Sequence, residues 1–185
     1  MYYIDDNING LNLEAAIMDI SEQRMAQTMK FKHELGRRQC VASYLLLKEA
    51  LSSEYGIEEN PLFDYLEGGK PVLRNNPDIH FNISHCRIAV AVAVSDEPIG
   101  IDIETIRPYK DDLARHVLSD SEYESVVSSS KPDVEFIKLW TRKEAVLKLS
   151  GEGIRRDLKT LLTGQENTET IVDEVKGYVC TIAMK

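Results

Sequence analysis

The stretch Gly100-Ile101-Asp102-Ile103-Glu104 decides how the rest of the chain is read. Strict alternation places Ile99, Ile101 and Ile103 on one face of a strand and Gly100, Asp102 and Glu104 on the other. Residues two apart on a strand lie about 7 Å from one another, so both acids can lean on a single hard cation. The glycine is expected to leave open space beside them. Unpaired acids sharing one face repel each other, which makes a divalent cation their natural partner.

Phe136-Ile-Lys-Leu-Trp-Thr-Arg-Lys-Glu-Ala-Val-Leu-Lys-Leu149 answers that strand. It has no proline or glycine and reads as a helix. At about 100° per residue, Phe136, Ile137, Trp140 and Leu147 fall on one stripe with Glu144 in its middle, and Lys148 lies one turn on at the edge. An ionised carboxylate on an apolar face is costly without a partner. Glu144 is therefore expected to meet a cation, a strong donor, or the strand acids through a shared metal.

The chain has 185 residues, 43% of them hydrophobic, which suffices for one good core or for two small lobes sharing an interface. A net charge of −9 argues against broad binding to nucleic acid or anionic membrane, which needs a basic field. Any phosphate ligand must then be held by local positive groups or by a metal. Cys40, Cys86 and Cys180 are widely spaced and show no Cys-x-x-Cys or Cys/His grouping, so they read as reduced thiols rather than a zinc site. No stretch has the pattern of a signal peptide or a membrane span, and the expectation is a soluble, cytoplasmic protein.

Taken in order, Tyr2 to Ile4 can form a short edge strand before the Asn9-Gly10 turn. Leu13 to Thr28 is polar and helix-compatible. A longer apolar-periodic helix is expected from Phe31 to about Tyr55, capped by Gly56. Arg37 and Arg38 near its start read first as a solvated face. Glu67-Gly-Gly-Lys-Pro71 is a turn that displays Lys70.

Ile79 to Cys86 reads as a half-buried strand with Ser84 and His85 at its end. In the next strand (Ile88 to Val94), Ile88, Val90, Val92 and Val94 face one way and Ala89, Ala91 and Ala93 leave the other side shallow for close packing. That strand and the acidic one are expected to form a hairpin across Asp96-Glu-Pro98. Ser119 with Glu122 fits a capping box. Thr170 to Val175 and Tyr178 to Met184 are candidate strands around Lys176-Gly177. His33, His80 and His116 read as structural or exposed histidines.

Gly69-Lys-Pro71, Phe81-Asn-Ile-Ser-His85, Gly100-Ile-Asp-Ile-Glu104 and Trp140-Thr-Arg-Lys-Glu-Ala-Val-Leu-Lys148, in this order and at these separations, resemble the surfactin-synthetase-activating (Sfp) type of 4′-phosphopantetheinyl transferase. The likeness covers roughly residues 30 to 155. It implies an α+β fold of two similar lobes, each a small antiparallel sheet packed with a helix, in pseudo-twofold relation. The lobes would be approximately residues 1–95 and 96–185, with the active site in the cleft between them. Smaller members of the superfamily build that site between subunits; here both halves fit in one chain, and a monomer is expected.

The implied reaction moves phosphopantetheine from coenzyme A to a serine hydroxyl of an apo acyl or peptidyl carrier protein, releasing adenosine 3′,5′-bisphosphate. By the resemblance, Asp102, Glu104 and Glu144 match the metal-binding acids, and Mg²⁺ suits their hard oxygen donors. Lys148 matches the lysine beside the pyrophosphate, and Glu144 and Lys148 are the two candidates for proton transfer. Lys70, Ser84 and His85 match coenzyme A contacts, and Arg38 falls where the family has a cofactor-contacting arginine. Trp140 reads as a core anchor, and Lys143 as a solvated or structural lysine.

The chain also departs from the family pattern. Gln23, Arg24 and Ala26 stand near a position where the family often has lysines, Cys86 where serine or threonine is usual, and Glu152 between two glycines where lysine is common. Two rival readings share the same residues. A transferase consuming a nucleoside triphosphate lacks its Gly-rich phosphate loop. A non-catalytic binder of coenzyme A or carrier protein gives no reason to keep an acid on an apolar helix face.

Overall fold

Elements are numbered in chain order in the computed structural model, which describes residues 1–66, 68–151 and 157–185. Strand β1 (Tyr2–Asp5) leads through α1 (Leu13–Ala16) and a 3-10 turn (Ile17–Asp19) into α2 (Glu22–Thr28). The helix-compatible run from Leu13 to Thr28 is thus broken, because Ile20 and Ser21 are extended and the Ser21 side chain accepts from the Arg24 N–H to start a new helix. Helix α3 (Glu34–Tyr55) follows, starting three residues later than its periodicity suggested, and ends where Gly56 turns left-handed at φ 66°. Strands β2 (Phe63–Tyr65) and β3 (Pro71–Leu73) form a small hairpin.

Strands β4 (His80–His85), β5 (Val90–Ser95) and β6 (Ile99–Thr105) come next. Three helices follow: α4 (Asp111–Val117), α5 (Asp120–Val127) and α6 (Pro132–Ser150). The capping box of Ser119 and Glu122 opens α5, and Pro132 lies in the first turn of α6. Strands β7 (Asn167–Asp173) and β8 (Tyr178–Met184) close the chain. The result is a mixed α+β protein whose sheets are all antiparallel: β1-β5-β4, β2-β3 and β6-β8-β7. Among the described residues no helix is long and apolar enough to cross a membrane. Glu67 and Glu152 lie outside the described residues.

The hairpin expected between β5 and β6 does not form. Strand β5 pairs with β1 and β4, whereas β6 pairs with β8. The reason lies in the valine and alanine alternation of β5. Val90, Val92 and Val94 pack in one core with Val41, Tyr44, Leu47 and Leu51 of α3. Ala89, Ala91 and Ala93 share a second core with Ile99, Ile101 and Ile103, and Ile88, expected on the valine side, packs against this second core because it precedes β5 and escapes its alternation. Small side chains let the bulky isoleucine face of β6 lie over β5, so the strands meet through their faces instead of their edges.

The free edge of β6 is held by side chains of β4. The Ile101 N–H donates to Asn82 Oδ1 at 3.0 Å and the Ile103 N–H to Ser84 Oγ at 3.3 Å. Backbone donors that would otherwise be unpaired in the interior are thereby satisfied.

The opposite face of β6 carries Gly100, Asp102 and Glu104, in register with Ala183, Thr181 and Val179 of β8. Helix α6 lies across it. Thr141 of α6 and Thr181 share a hydroxyl hydrogen bond of 2.8 Å. On the far side of the helix, Lys143 is fully buried and donates to both oxygens of Glu122 (2.8 and 2.9 Å) and to the Leu158 carbonyl at 2.6 Å. A structural lysine, not a solvated one, thus braces α6 against α5. Lys143→Met strands the Glu122 charge and is expected to cost about 3 kcal/mol in urea unfolding, since breaking a buried pair leaves one charge uncompensated.

Candidate active site

Gly100 admits helix α6 to the acidic face. A Cβ at this position would stand 2.1 Å from the Ala145 carbonyl oxygen and 2.6 Å from the Leu149 nitrogen. The space beside the acids is therefore not open, as the strand pattern suggested, but filled by helix backbone. This close approach brings Glu144 and Lys148, both on α6, over Asp102.

Lys148 is at the centre of the resulting network. Its ammonium donates to Asp102 Oδ1 at 2.7 Å, to Ser84 Oγ at 2.9 Å and to the Ile101 carbonyl at 3.0 Å. Ser84 in turn donates to Asp102 Oδ1 at 2.8 Å. Asp102 is 5% exposed, and its second oxygen, Oδ2, is buried without a hydrogen-bond partner. An orphaned carboxylate oxygen in the interior is rare and asks for a cation or a strong donor.

Glu104 and Glu144 are half-buried, and the pKa of each is raised from the ordinary glutamate value. Burial is the main cause for each, and the Asp102 charge adds to it. Lys148 opposes the shift in both, Glu104 also raises the Glu144 value, and Arg107 and the Trp140 side chain favour ionised Glu104. The three acids therefore sense one another, though among the described residues no three acid, histidine or cysteine side chains are gathered into a ready-made metal nest. Their hard oxygen donors, mutual repulsion and orphaned Oδ2 nonetheless suit a divalent cation.

Lys70 reaches the same region from the turn after β2. Its ammonium donates to the Lys148 carbonyl at 3.1 Å, satisfying an acceptor in the last turn of α6. Burial lowers its pKa. Lys70, Asn82, Glu144 and Lys148 line a cavity of about 270 Å³, together with Gly68, Gly69 and Gly151. A second cavity of about 320 Å³ shares Gly68, Lys70, Pro71 and Gly151 and extends past Ile79, His80 and Phe81.

His85, at the end of β4, keeps an exposed edge while protein atoms crowd its imidazole; that partial desolvation lowers its pKa, followed by the Lys148 charge and a smaller contribution from Arg24. Lowering moves it further towards the neutral form at pH 7.

Arg38 is engaged elsewhere: it pairs with Glu34 (2.7 Å) and donates to the carbonyls of Asn9 (3.1 Å) and Leu11. None of these partners belongs to the network around Asp102. Gln23 and Arg24 have structural partners too. Gln23 exchanges two hydrogen bonds with the Phe63 backbone (2.9 and 3.0 Å), and Arg24 donates twice to the Cys40 carbonyl (3.0 and 2.8 Å). Trp140 does serve as an anchor, its ring 6.4 Å from that of Phe136, while also lying close enough to Glu104 to influence its charge. Asn82 is a site residue that the sequence reading passed over. Its signal was present, since Asn82 and Ser84 are the polar positions alternating with Phe81 and Ile83.

Comparison with known proteins meets this geometry from another side. The family model described as the 4′-phosphopantetheinyl transferase superfamily matches residues 98–181, which contain β6 and α6 with all three acids and Lys148. The chain is 32% identical over 160 residues to the 4′-phosphopantetheinyl transferase psf-1 of Bacillus pumilus, covering 85% of this chain and 69% of that protein. It is 30% identical over 155 residues to the 4′-phosphopantetheinyl transferase Sfp of Bacillus subtilis (strain 168), covering 82% and 69%. With the 4′-phosphopantetheinyl transferase HetI of Nostoc sp. it shares 33% identity over 160 residues, covering 80% and 67%. With one likeness running through most of the chain and another centred on the strand and helix that carry its acids, the chain belongs to the 4′-phosphopantetheinyl transferase superfamily.

Proposed function

We propose that this protein transfers the 4′-phosphopantetheine group of coenzyme A to a serine hydroxyl of an apo carrier protein, releasing adenosine 3′,5′-bisphosphate. The observation that carries this reading is the junction of Asp102, Ser84 and Lys148 beside Glu104 and Glu144, at the wall of a cavity that Lys70 also lines. Asp102, Glu104 and Glu144 would hold Mg²⁺, which when bound neutralises charge on the pyrophosphate.

The chain's own groups supply the rest. Glu144 is placed to accept the serine proton, directly or through a water; in the cation-free protein its pKa is raised, chiefly through burial. The serine oxygen forms its bond to the β-phosphorus as the bond from that phosphorus to the bridging oxygen breaks, and the electron pair leaves on the adenosine bisphosphate. Lys148 and Lys70 offer positive charge to that leaving group. Ser84 and His85 position the cofactor's phosphate and adenosine end, His85 acting as a neutral hydrogen-bonding ring. Arg38 would meet the cofactor from its ion pair with Glu34.

The finer architecture belongs to the same proposal. Two pseudo-twofold lobes, residues 1–95 and 96–185, are supported by the pairing of sheet β1-β5-β4 with α3 and of sheet β6-β8-β7 with α6. Every group named for the site comes from one chain, in keeping with a monomer. Three buried, unpaired cysteines suit the reducing cytoplasm.

The test is incubation with coenzyme A, Mg²⁺ and a panel of apo carrier proteins from fatty-acid, polyketide and peptide synthesis, followed by intact-mass measurement. A gain of one phosphopantetheine group on at least one carrier is expected; no gain on any of them overturns the proposal. In the same assay His85→Ala is expected to raise the KM for coenzyme A about tenfold while changing kcat less than about threefold, the pattern of a lost binding contact. An unchanged KM removes His85 from the cofactor site.

A further inference from the structure

Lys148 occupies the carboxylate that a divalent cation would need. Its ammonium is 2.7 Å from Asp102 Oδ1, and Ser84 Oγ takes up more of that oxygen's capacity at 2.8 Å, while Oδ2 has no partner. The lysine backbone is fixed, because Lys70 holds the Lys148 carbonyl at 3.1 Å. Its side chain is 27% exposed and borders the cavity that Glu144 and Lys70 also line. A flexible four-carbon stem can therefore carry the charge from Asp102 into the cavity without moving the helix.

We infer that Lys148 is an internal rival of the divalent cation at Asp102, and that the cofactor's pyrophosphate relieves the rivalry by drawing the ammonium away. The inference rests on the metal-site reading above. The chain has two arrangements, with Lys148 on the carboxylate or Lys148 on phosphate. Whatever favours the second raises cation affinity, and by reciprocity the cation raises cofactor affinity to the same degree. Cation and coenzyme A thus load together, and the metal alone binds weakly.

The experiment measures Mn²⁺ binding by electron paramagnetic resonance, with and without saturating coenzyme A and with no carrier protein, corrected for Mn²⁺ taken up by free cofactor. For the unaltered protein, coenzyme A is expected to tighten Mn²⁺ binding about tenfold or more, within the range usual for coupled sites. Lys148→Met is expected to tighten Mn²⁺ binding in the absence of cofactor by about tenfold and to shrink the cofactor effect by a similar factor, leaving only the part that direct contact between cation and pyrophosphate supplies.

Lys148→Arg keeps the charge and should stay close to the unaltered protein. Ser84→Ala removes one of the three acceptors that seat the ammonium and should tighten cofactor-free binding about two- to threefold. That comparison carries the test if Lys148→Met does not fold. If the variants bind Mn²⁺ with the unaltered affinity and the unaltered coenzyme A effect, the rivalry is refuted and the metal site stands. If no protein binds Mn²⁺ under either condition, the metal site itself fails and the inference falls with it.

Discussion

Asp102→Asn is expected to lower the rate of phosphopantetheine transfer on the order of a thousandfold, because Asp102 would help hold the divalent cation, whose charge would supply several kcal/mol of transition-state stabilisation. The asparagine keeps the shape of the side chain and can still accept from Lys148 and Ser84, which donate to Asp102 Oδ1 at 2.7 and 2.8 Å. It loses the charge on which both a divalent cation and the electrostatic coupling to Glu104 and Glu144 depend. Removing that charge also relieves repulsion with the two glutamates, and this offsets part of the weakened bond to Lys148. Stability is therefore expected to change by no more than about 1 kcal/mol. Initial rates from intact-mass time courses, with a thermal melt on the same sample, separate the two effects. A variant that melts normally and retains a rate within threefold of the unaltered protein would refute the role given to Asp102.

Much of the site was legible because its residues obey short periodicities. Alternation alone put Asp102 and Glu104 on one strand face, and the helical stripe alone put Glu144 and Lys148 over a buried surface. What no local pattern could give was the pairing of one segment with another. Asp96-Glu-Pro98 is a good turn, and a turn between two strands usually makes a hairpin. Here the alternating alanines of β5 made face-to-face packing with the isoleucines of β6 the better use of the same residues. The clue lay in side-chain size, not in the turn.

Arg38 and Lys143 show the other limit. Charges are usually solvated, and nothing within a few residues of Arg38 reveals that the carbonyls of Ile8, Asn9 and Leu11 will come to meet it. Lys143 lies one residue before Glu144 in the same helix, yet its partner Glu122 belongs to another helix, where sequence had already assigned it the separate task of a capping box. Such long-range partners follow only from the packing of α6 between the acidic strand and α5.

Gly100→Ala is the substitution expected to damage the fold most. An added methyl group would sit 2.1 Å from the Ala145 carbonyl oxygen and 2.6 Å from the Leu149 nitrogen, and both are helix backbone, which cannot rotate aside as a side chain can. Either α6 lifts from the sheet or β6 bends. Overpacking of this kind costs about 3 kcal/mol, and on the order of a 10 °C fall in melting temperature is expected for a chain of this size. Activity should fall further than stability. Glu144 and Lys148 lie on the helix that must move, and a displacement of about 1 Å at reacting groups costs roughly a hundredfold in rate. Gly56→Ala provides the control. Gly56 has φ 66° and nothing within 4 Å of its would-be Cβ, so that change brings only backbone strain, at the end of α3. It should cost about 1 kcal/mol and leave kcat unchanged. If Gly100→Ala instead melts and turns over like Gly56→Ala, α6 does not rest on β6 at this glycine, and the arrangement that sets Glu144 and Lys148 above Asp102 is wrong.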